Sequence, residues 1–321
     1  MLPHTDCRLG YSQRGAALLV VAVVLTVVAL GVLYGRMNVR QHADAVTAQA
    51  LAEAQAALIF RALSDTNHPG SLPCPDTNND GVAETTVGVQ GGACKGGYIG
   101  RLPWRTLGLT DVRDGSGERL WYALSSDARD YQNLKINSQN TAGLLQVNNN
   151  ANMVAVLFSS GVTIAPQQRG TQAQQLAVGN YLEGGNETAG TTVYVAKTVA
   201  DPAFDDTVLT LSSADLFRKV ERLVLLQIAK NLAPPYPYAA ADQSGIDQSG
   251  LLAGFVPYTT LPATSASINT LIQNDWFQNN MAASPMLPYY VSAARDQVQI
   301  NLKYCSGSMH ASSAVMAVHC V

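Results

Sequence analysis

Residues 16–34 read AALLVVAVVLTVVALGVLY, an apolar stretch without a single charged residue. At a rise of about 1.5 Å per residue, a helix of this length spans the roughly 30 Å hydrocarbon core of a bilayer. A cleaved secretory signal has a shorter apolar core that ends at a small-residue site, whereas this stretch continues through Tyr34 to Arg36. The sequence therefore predicts a membrane-spanning helix, rather than a cleaved signal or a buried core helix.

The helical pattern continues beyond the apolar stretch. Residues 38–62 contain neither Pro nor Gly, and Leu51, Ala54, Leu58 and Ala62 recur at helical spacing. This stripe is narrow and rich in Ala, so we expect the second half of the helix to pack against a sheet.

Composition limits the classes of function. The chain has 321 residues, of which 47 % are hydrophobic, and this is enough apolar material for packed cores. Only 13 % of the residues are charged and the formal net charge is −3, so we expect no nucleic-acid partner. The sequence contains no zinc-protease, nucleophile-elbow or phosphate-loop motif, and we therefore expect no enzymatic activity.

Four of the five cysteines form two pairs that are close in sequence, Cys74 with Cys94 and Cys305 with Cys320. Such pairs are typical of disulfides made in an oxidising compartment, although free buried thiols fit the same spacing. A zinc site is a poorer alternative because no C-x-x-C motif occurs. Arginines flank the apolar stretch equally on both sides, so the disulfides decide the orientation, with residues 1–15 in the cytoplasm.

The junction before the apolar stretch carries a specific resemblance. Gln13-Arg14-Gly15 is followed directly by Ala16 and further apolar residues. This junction resembles the processing site of type IV pilins and pseudopilins, in which a polar leader ends in glycine immediately before the apolar helix. The resemblance implies cleavage between Gly15 and Ala16 by prepilin peptidase, methylation of the new N-terminus, and a helix that later forms the core of a filament.

One position departs from the pattern of this family. The fifth mature residue is usually Glu, and here it is Val20. The X-type minor pilins and the K-type tip pseudopilin also tend to lack this acid. The resemblance therefore implies a minor subunit of a type IV pilus or type II secretion pseudopilus, active in tip formation or initiation, with adhesion as a further role.

The same resemblance implies a location and a set of partners. It predicts a single-pass protein of the bacterial inner membrane whose C-terminal bulk is periplasmic, or belongs to a cell-surface filament after assembly. The implied partners are other pilin or pseudopilin subunits, bound through the N-terminal helix, together with prepilin peptidase and the inner-membrane assembly platform. The alternative from another class is a membrane-anchored periplasmic binding protein that does not polymerise.

The rest of the chain predicts an α+β fold, with the long helix packed on an antiparallel sheet as in pilins. Strands are predicted at residues 119–125, 154–161 and 204–212, and an amphipathic helix at residues 216–232. The predicted divisions are a leader at 1–15, the membrane-spanning and extended helix at 16–63, a pilin-like periplasmic domain at 64–215, and a second α+β lobe at 216–321.

The second lobe repeats an order of motifs found in the first. YIGRLPW at 98–104 matches LAGFVPY at 252–258, WYALS at 121–125 matches PYYVS at 288–292, and VLFSSG at 156–161 matches LKYCSG at 302–307. This order predicts a duplicated α+β unit. Chance similarity among common turn residues is the alternative.

A candidate calcium loop follows Cys74, and calcium is the one cofactor that the sequence suggests. The loop DTNNDGVAE offers side-chain oxygens at Asp76, Asn78 and Asp80, the carbonyl of Val82 and the acid of Glu84. The bidentate acid of a calcium loop is missing, because Val87 stands at its place. A turn in which Asp and Asn bond their own backbone is the favoured alternative.

Two further acids, Asp205 and Asp206, are adjacent in a predicted strand. Neighbouring side chains of a strand point to opposite faces, so we expect these two acids to be structural rather than a joint ligand pair.

Overall fold

The computed structural model describes residues 14–65, 68–188, 190–197, 201–238, 245–246, 250–256, 275–276 and 288–321, and only the backbone of residues 14–18, 245–246, 255 and 314. Most of the predicted leader lies outside the described residues. The described part combines a long N-terminal helix with mainly antiparallel sheets, so the fold is α+β as predicted. The chain divides into two compact units, Met1–Val46 and Thr47–Val321.

Helix α1 runs without interruption from Arg14 to Ser64. In the first unit, residues 19–42 are exposed, and most of them up to Val39 are apolar. In the second unit, the predicted stripe is buried, with small Ala side chains that let the helix approach its neighbours closely. The buried residues of this part of α1 are Ala50, Leu51, Ala54, Ala57, Leu58 and Ala62.

The first sheet has six strands within the described residues. They are β1 (Ile99–Arg101), β2 (Trp121–Leu124), β3 (Leu145–Val147), β4 (Asn150–Ser159), β5 (Val193–Tyr194) and β6 (Thr207–Ser212). The order is β1-β2-β4-β3-β5, and β6 also pairs with β4. All pairs are antiparallel except β3 with β5. A short helix, α2 (Gln172–Leu176), lies between β4 and β5 in the chain.

Strand β2 is buried on both faces because its side chains alternate between two apolar clusters. Tyr122 and Leu124 belong to the main core, which also contains the buried stripe of α1. Trp121 and Ala123 point the other way into a smaller cluster, where the Trp121 ring lies 5.3 Å from that of Tyr181. A continuous apolar strand is the sequence pattern that such two-sided burial produces.

Helix α3 (Ser213–Ala229) begins the second half of the fold. Ser212 caps its N-terminus by accepting a hydrogen bond from the N–H of Asp215. One face of α3 is buried against both sheets, at Leu216, Phe217, Val220, Val224, Leu225 and Ile228. Residues of both sheets therefore share one main core.

The second sheet is an antiparallel meander. Its strands are β7 (Gly245–Ile246), β8 (Leu252–Phe255), β9 (Pro288–Val291), β10 (Gln297–Asn301), β11 (Cys305–His310) and β12 (Ser313–Cys320), each paired with the next. Buried side chains alternate along β9 and β10, as expected for strands with one face on the core.

The two sheets pair their matched strands in the same register. Gly100 of β1 lies opposite Tyr122 of β2, and Gly254 of β8 lies opposite Tyr289 of β9. These are the positions that the first two sequence matches equate. Neither pairing depends on a shared tight turn, since long segments separate the strands in both sheets.

The two matched tyrosines also make the same contact. Tyr122 and Tyr289 are both fully buried. The hydroxyl of Tyr122 donates to the carbonyl of Pro73 at 3.1 Å, and that of Tyr289 donates to the carbonyl of Pro237 at 3.0 Å. Each proline follows the helix of its own half, so each tyrosine ties the segment after a helix to a strand of the following sheet.

The third sequence match is wrong. Tyr122 lies opposite Leu157 of β4, whereas Tyr289 lies opposite Ile300 of β10. The counterpart of β4 is therefore β10, not residues 302–307, which turn from β10 into β11. VLFSSG and LKYCSG share only their final Ser and Gly. These residues are common at turns near strand ends, so they do not mark equivalent strands.

Candidate functional site

The apolar part of α1 is the first candidate functional surface. Starting from Leu19, α1 is the one helix among the described residues that is long and apolar enough to cross a membrane, which is consistent with a single-pass anchor. Val20 is 63 % exposed, and its apolar neighbours are similarly open. A contiguous apolar surface of this kind is unfavourable in water, so this surface requires lipid or another apolar surface.

The proposed processing residues lie at the start of this helix. The described part of α1 begins at Arg14, so Gly15 and Ala16 lie in its first described turn, where only the backbone is described. Cleavage between them stays a prediction.

The candidate calcium loop is a closed set of hydrogen bonds around the buried side chain of Asp76. Asp76 Oδ1 accepts the N–H groups of Asn79 at 2.6 Å and Asn78 at 3.1 Å, and its Oδ2 accepts the N–H of Gly81 at 2.6 Å. Burial raises the pKa of the Asp76 carboxyl, and the N–H donors of Gly81 and Asn79 oppose that shift.

The other predicted side-chain ligands of this loop are also engaged. Asn78 Oδ1 accepts the N–H of Asp80, Asp80 Oδ1 accepts the N–H of Val82, and Glu84 Oε1 accepts the hydroxyl of Thr77. Within the described residues, no cluster of three acidic, His or Cys side chains at metal-binding spacing includes this loop. These contacts are those of successive Asx turns, and calcium binding here stays a prediction.

Both pairs of cysteines are joined. The Cys74–Cys94 disulfide encloses the candidate loop, with the two Cα atoms 5.6 Å apart. The Cys305–Cys320 disulfide joins β11 to β12 at directly opposed positions, with Cα atoms 4.0 Å apart. Each disulfide therefore fixes a local segment rather than distant parts of the chain.

A cluster of three carboxylates lies outside every predicted site. Glu183, Asp205 and Asp206 each place one oxygen within 4.8 Å of the others. The expectation that Asp205 and Asp206 point to opposite faces is wrong, because β6 begins only at Thr207. Strand alternation does not apply to the turn before β6, and both side chains converge on Glu183.

Donors reach only some oxygens of the cluster, among them Oε1 of Glu183, which accepts the side-chain amide of Gln167. Asp206 is 5 % exposed; its Oδ2 accepts the N–H of Glu183 and the side-chain amide of Asn186, each at 3.0 Å. Oδ1 of Asp206 and Oδ1 of Asp205 are buried and have no hydrogen-bond partner in the described part of the chain. Burial raises the pKa of Asp206 to about 8, and the charges of Glu183 and Asp205 add to the shift.

Sequence reasoning missed Glu183 because no local signal marks it. It lies in a loop rich in Gly and Asn, far along the chain from Asp205, and only the fold brings the two together.

No protein-family model matches the chain, and neither a curated protein nor a solved structure matches it. Its function is therefore inferred from its own residues.

Proposed function

We propose that this chain is a minor pilin-like subunit of a type IV pilus or of a type II secretion pseudopilus, anchored in the bacterial inner membrane by α1. The observation that carries the proposal is the single unbroken helix from Arg14 to Ser64. Its apolar segment starts directly after the Arg14-Gly15 junction and is exposed from Leu19 onward, and its C-terminal turns supply buried side chains to the core.

The disulfides support the proposed orientation. Structural disulfides persist in oxidising compartments, and both disulfides lie in the unit Thr47–Val321. On this proposal that unit is periplasmic, the leader is cytoplasmic, and prepilin peptidase cleaves between Gly15 and Ala16.

The repeated register supports a subunit enlarged by duplication of a pilin-like unit. Both halves follow a helix with antiparallel strands, and both place a buried tyrosine opposite a glycine and against a proline carbonyl. A chain of this size crowds a helical lattice but fits freely at its end. The proposed place of this subunit is therefore the tip, with the second lobe as the proposed adhesive part.

The missing acid at Val20 supports the same place. A carboxylate within a membrane helix costs about 2.5 to 3.5 kcal/mol on insertion scales, so pilins that keep it gain something from it. In that family the gain is pairing with the N-terminal amine of a neighbouring subunit. A chain with Val20 offers its own amine but no acid, so it makes one side of the contact and suits initiation through the assembly platform.

The N-terminus of the membrane-extracted protein tests the processing. Intact mass and N-terminal sequencing are expected to show a chain that starts at Ala16 and carries an N-methyl group. Gly15→Glu is expected to leave the full precursor in the membrane, whereas the matched control Gly10→Glu is expected to be processed normally. A wild-type N-terminus at Met1, or one beyond residue 30, contradicts the proposal.

Sheared filaments test the place in the assembly. Quantitative mass spectrometry is expected to find this chain at low copy number, and labelling of residues in β12 is expected to mark filament ends. A chain that dominates the shaft contradicts the tip assignment. A chain absent from all filaments contradicts the subunit proposal and favours the membrane-anchored binding protein.

A further inference from the structure

The carboxylate cluster of Glu183, Asp205 and Asp206 has hydrogen-bond donors for only some of its oxygens. Three carboxylates whose oxygens lie within 4.8 Å of one another repel unless a proton or a cation lies between them. The unpartnered Oδ1 atoms of Asp205 and Asp206 are both buried. A buried carboxylate oxygen without a donor is strongly unfavourable, so its presence calls for an explanation.

No protein cation fills this role in the described part of the chain. Among the described ion pairs, none includes Glu183, Asp205 or Asp206. Arg169 is the nearby guanidinium that acts on Asp205. Its nitrogens donate elsewhere, and the acceptors are Glu118 Oε1, Gln167 Oε1 and the carbonyls of Asn180, Gly161 and Ser160.

We propose that Glu183, Asp205 and Asp206 bind a divalent cation of the calcium type. Two oxygens that each lie about 2.4 Å from a calcium ion are at most about 4.8 Å apart. One oxygen from each of the three acids lies within 4.8 Å of the other two, so the cluster is compact enough for one ion. Calcium accepts six to eight oxygens in flexible geometry, and Asp205 is half-buried, so water completes the coordination. The ligand set contains no Cys or His, which excludes the soft metals that prefer sulfur and imidazole.

The surrounding backbone holds the cluster in place. The N–H of Val162 donates to Asp205 Oδ2 at 2.8 Å, and the N–H of Asp205 donates to Glu183 Oε2 at 3.3 Å. Gly161, with φ of +54°, lies so close to the Asp205 carboxylate that a Cβ atom there would collide with it. A bound cation therefore joins the loop at Glu183 to the turn before β6, and this role is independent of filament assembly.

Calcium binding by the full-length, detergent-extracted protein tests the proposal. After treatment with EGTA and its removal, titration with calcium chloride is followed by calorimetry and by metal content after dialysis. The expected result is saturable calcium binding that Asp206→Asn weakens at least tenfold. Asp205→Asn, at a more exposed position, is expected to weaken it likewise, and circular dichroism checks that both variants are folded.

The matched control is Asp80→Asn in the loop after Cys74. It removes the same charge from the other candidate site, so binding at the cluster is expected to be unchanged. Magnesium chloride in the same titration shows whether the carboxylate cluster prefers calcium, the larger of the two ions. The proposal is overturned if wild-type protein binds no calcium at millimolar concentration. The proposal is also overturned if Asp80→Asn abolishes all calcium binding while folded Asp205→Asn or Asp206→Asn still binds calcium. In that case, the three acids of the cluster share a proton instead of binding a cation.

Discussion

The carboxylate of Glu221 on α3 accepts the backbone N–H of Cys305 at 2.7 Å. The same carboxylate also accepts the N–H groups of Lys303 at 3.1 Å and Tyr304 at 2.8 Å. Glu221 is fully buried, and burial raises its pKa while these donors oppose the shift. One helix side chain therefore holds the whole turn between β10 and β11.

Replacing Glu221 is expected to be severely destabilising. Glu221→Ala leaves three N–H groups without an acceptor in a buried place, so the free energy of unfolding should fall by about 3 kcal/mol. Glu221→Gln keeps one acceptor oxygen and should cost about half as much. Denaturant unfolding in detergent, followed by circular dichroism, measures both. Glu53→Ala on the exposed face of α1 is the control, and a Glu221→Ala variant as stable as that control contradicts the assigned role.

The two disulfides are expected to stabilise the fold by similar amounts. Their sequence separations are 20 residues for Cys74–Cys94 and 15 residues for Cys305–Cys320. Loops of this length correspond to about 3 kcal/mol each in the chain-entropy description. Replacing either pair by Ser should lower the unfolding free energy by about that amount, whereas Cys7→Ser should not change it. Peptide mapping without reductant checks the pairing, and crossed disulfides would refute it.

The loop after Cys74 depends on glycine at Gly81. Gly81 has φ of +85°, and a Cβ atom there would lie 2.5 Å from Cε2 of the Trp104 ring. Gly88 has φ of +77° but no atom within 4 Å of the same added carbon. Gly81→Ala adds a collision to the backbone strain that Gly88→Ala also has. We expect Gly81→Ala to destabilise by about 2 kcal/mol more, and equal melting temperatures would contradict this packing.

The pKa of Asp206 predicts a pH dependence of stability in EGTA. Its folded pKa of about 8 lies above the ordinary value of 3.8, so folding takes up a proton between these values. The contribution of this group is fully present below about pH 4 and is lost as the pH rises towards 8. Asp206 alone should lower the unfolding free energy by at most about 1.4 kcal/mol per pH unit in this range. Glu183 and Asp205, whose pKa values burial also raises, add to the slope.

Matched variants isolate this effect. Asp206→Asn is expected to flatten the pH profile between pH 4 and pH 8, and Asp80→Asn is expected to leave it as in the wild type. Equal slopes for the wild type and Asp206→Asn over this range would show that Asp206 takes up no proton on folding.

The two long helices and the central strands could be predicted because their signals are local. The Ala-rich stripe ending at Ala62 follows helical periodicity without Pro or Gly, and the short apolar run of β4 is typical of a buried strand. The motif matches equate Gly100 with Gly254 and Tyr122 with Tyr289, but the pairing of glycine with tyrosine across strands was not predicted, because it depends on residues far apart in the chain.

The carboxylate cluster and the role of Glu221 could not be predicted, because both depend on contacts between distant segments. Glu221 reads as an ordinary acid of an amphipathic helix, and only the fold turns it towards Cys305. The sequence predicts a strand from residue 204 that includes Asp205 and Asp206, but β6 starts only at Thr207, and that difference reverses the conclusion about their side chains.

Strand β6 ends at Ser212 and helix α3 begins at Ser213, so no linker separates the two halves of the fold. A pull on the second sheet is therefore transmitted through α3 directly into β6, and from there into its partner β4. If a flexible linker joined the two halves, the second half could rotate and unfold by itself under load. Here, we expect both sheets to resist a shear force together, and the second half to keep a fixed orientation relative to the first.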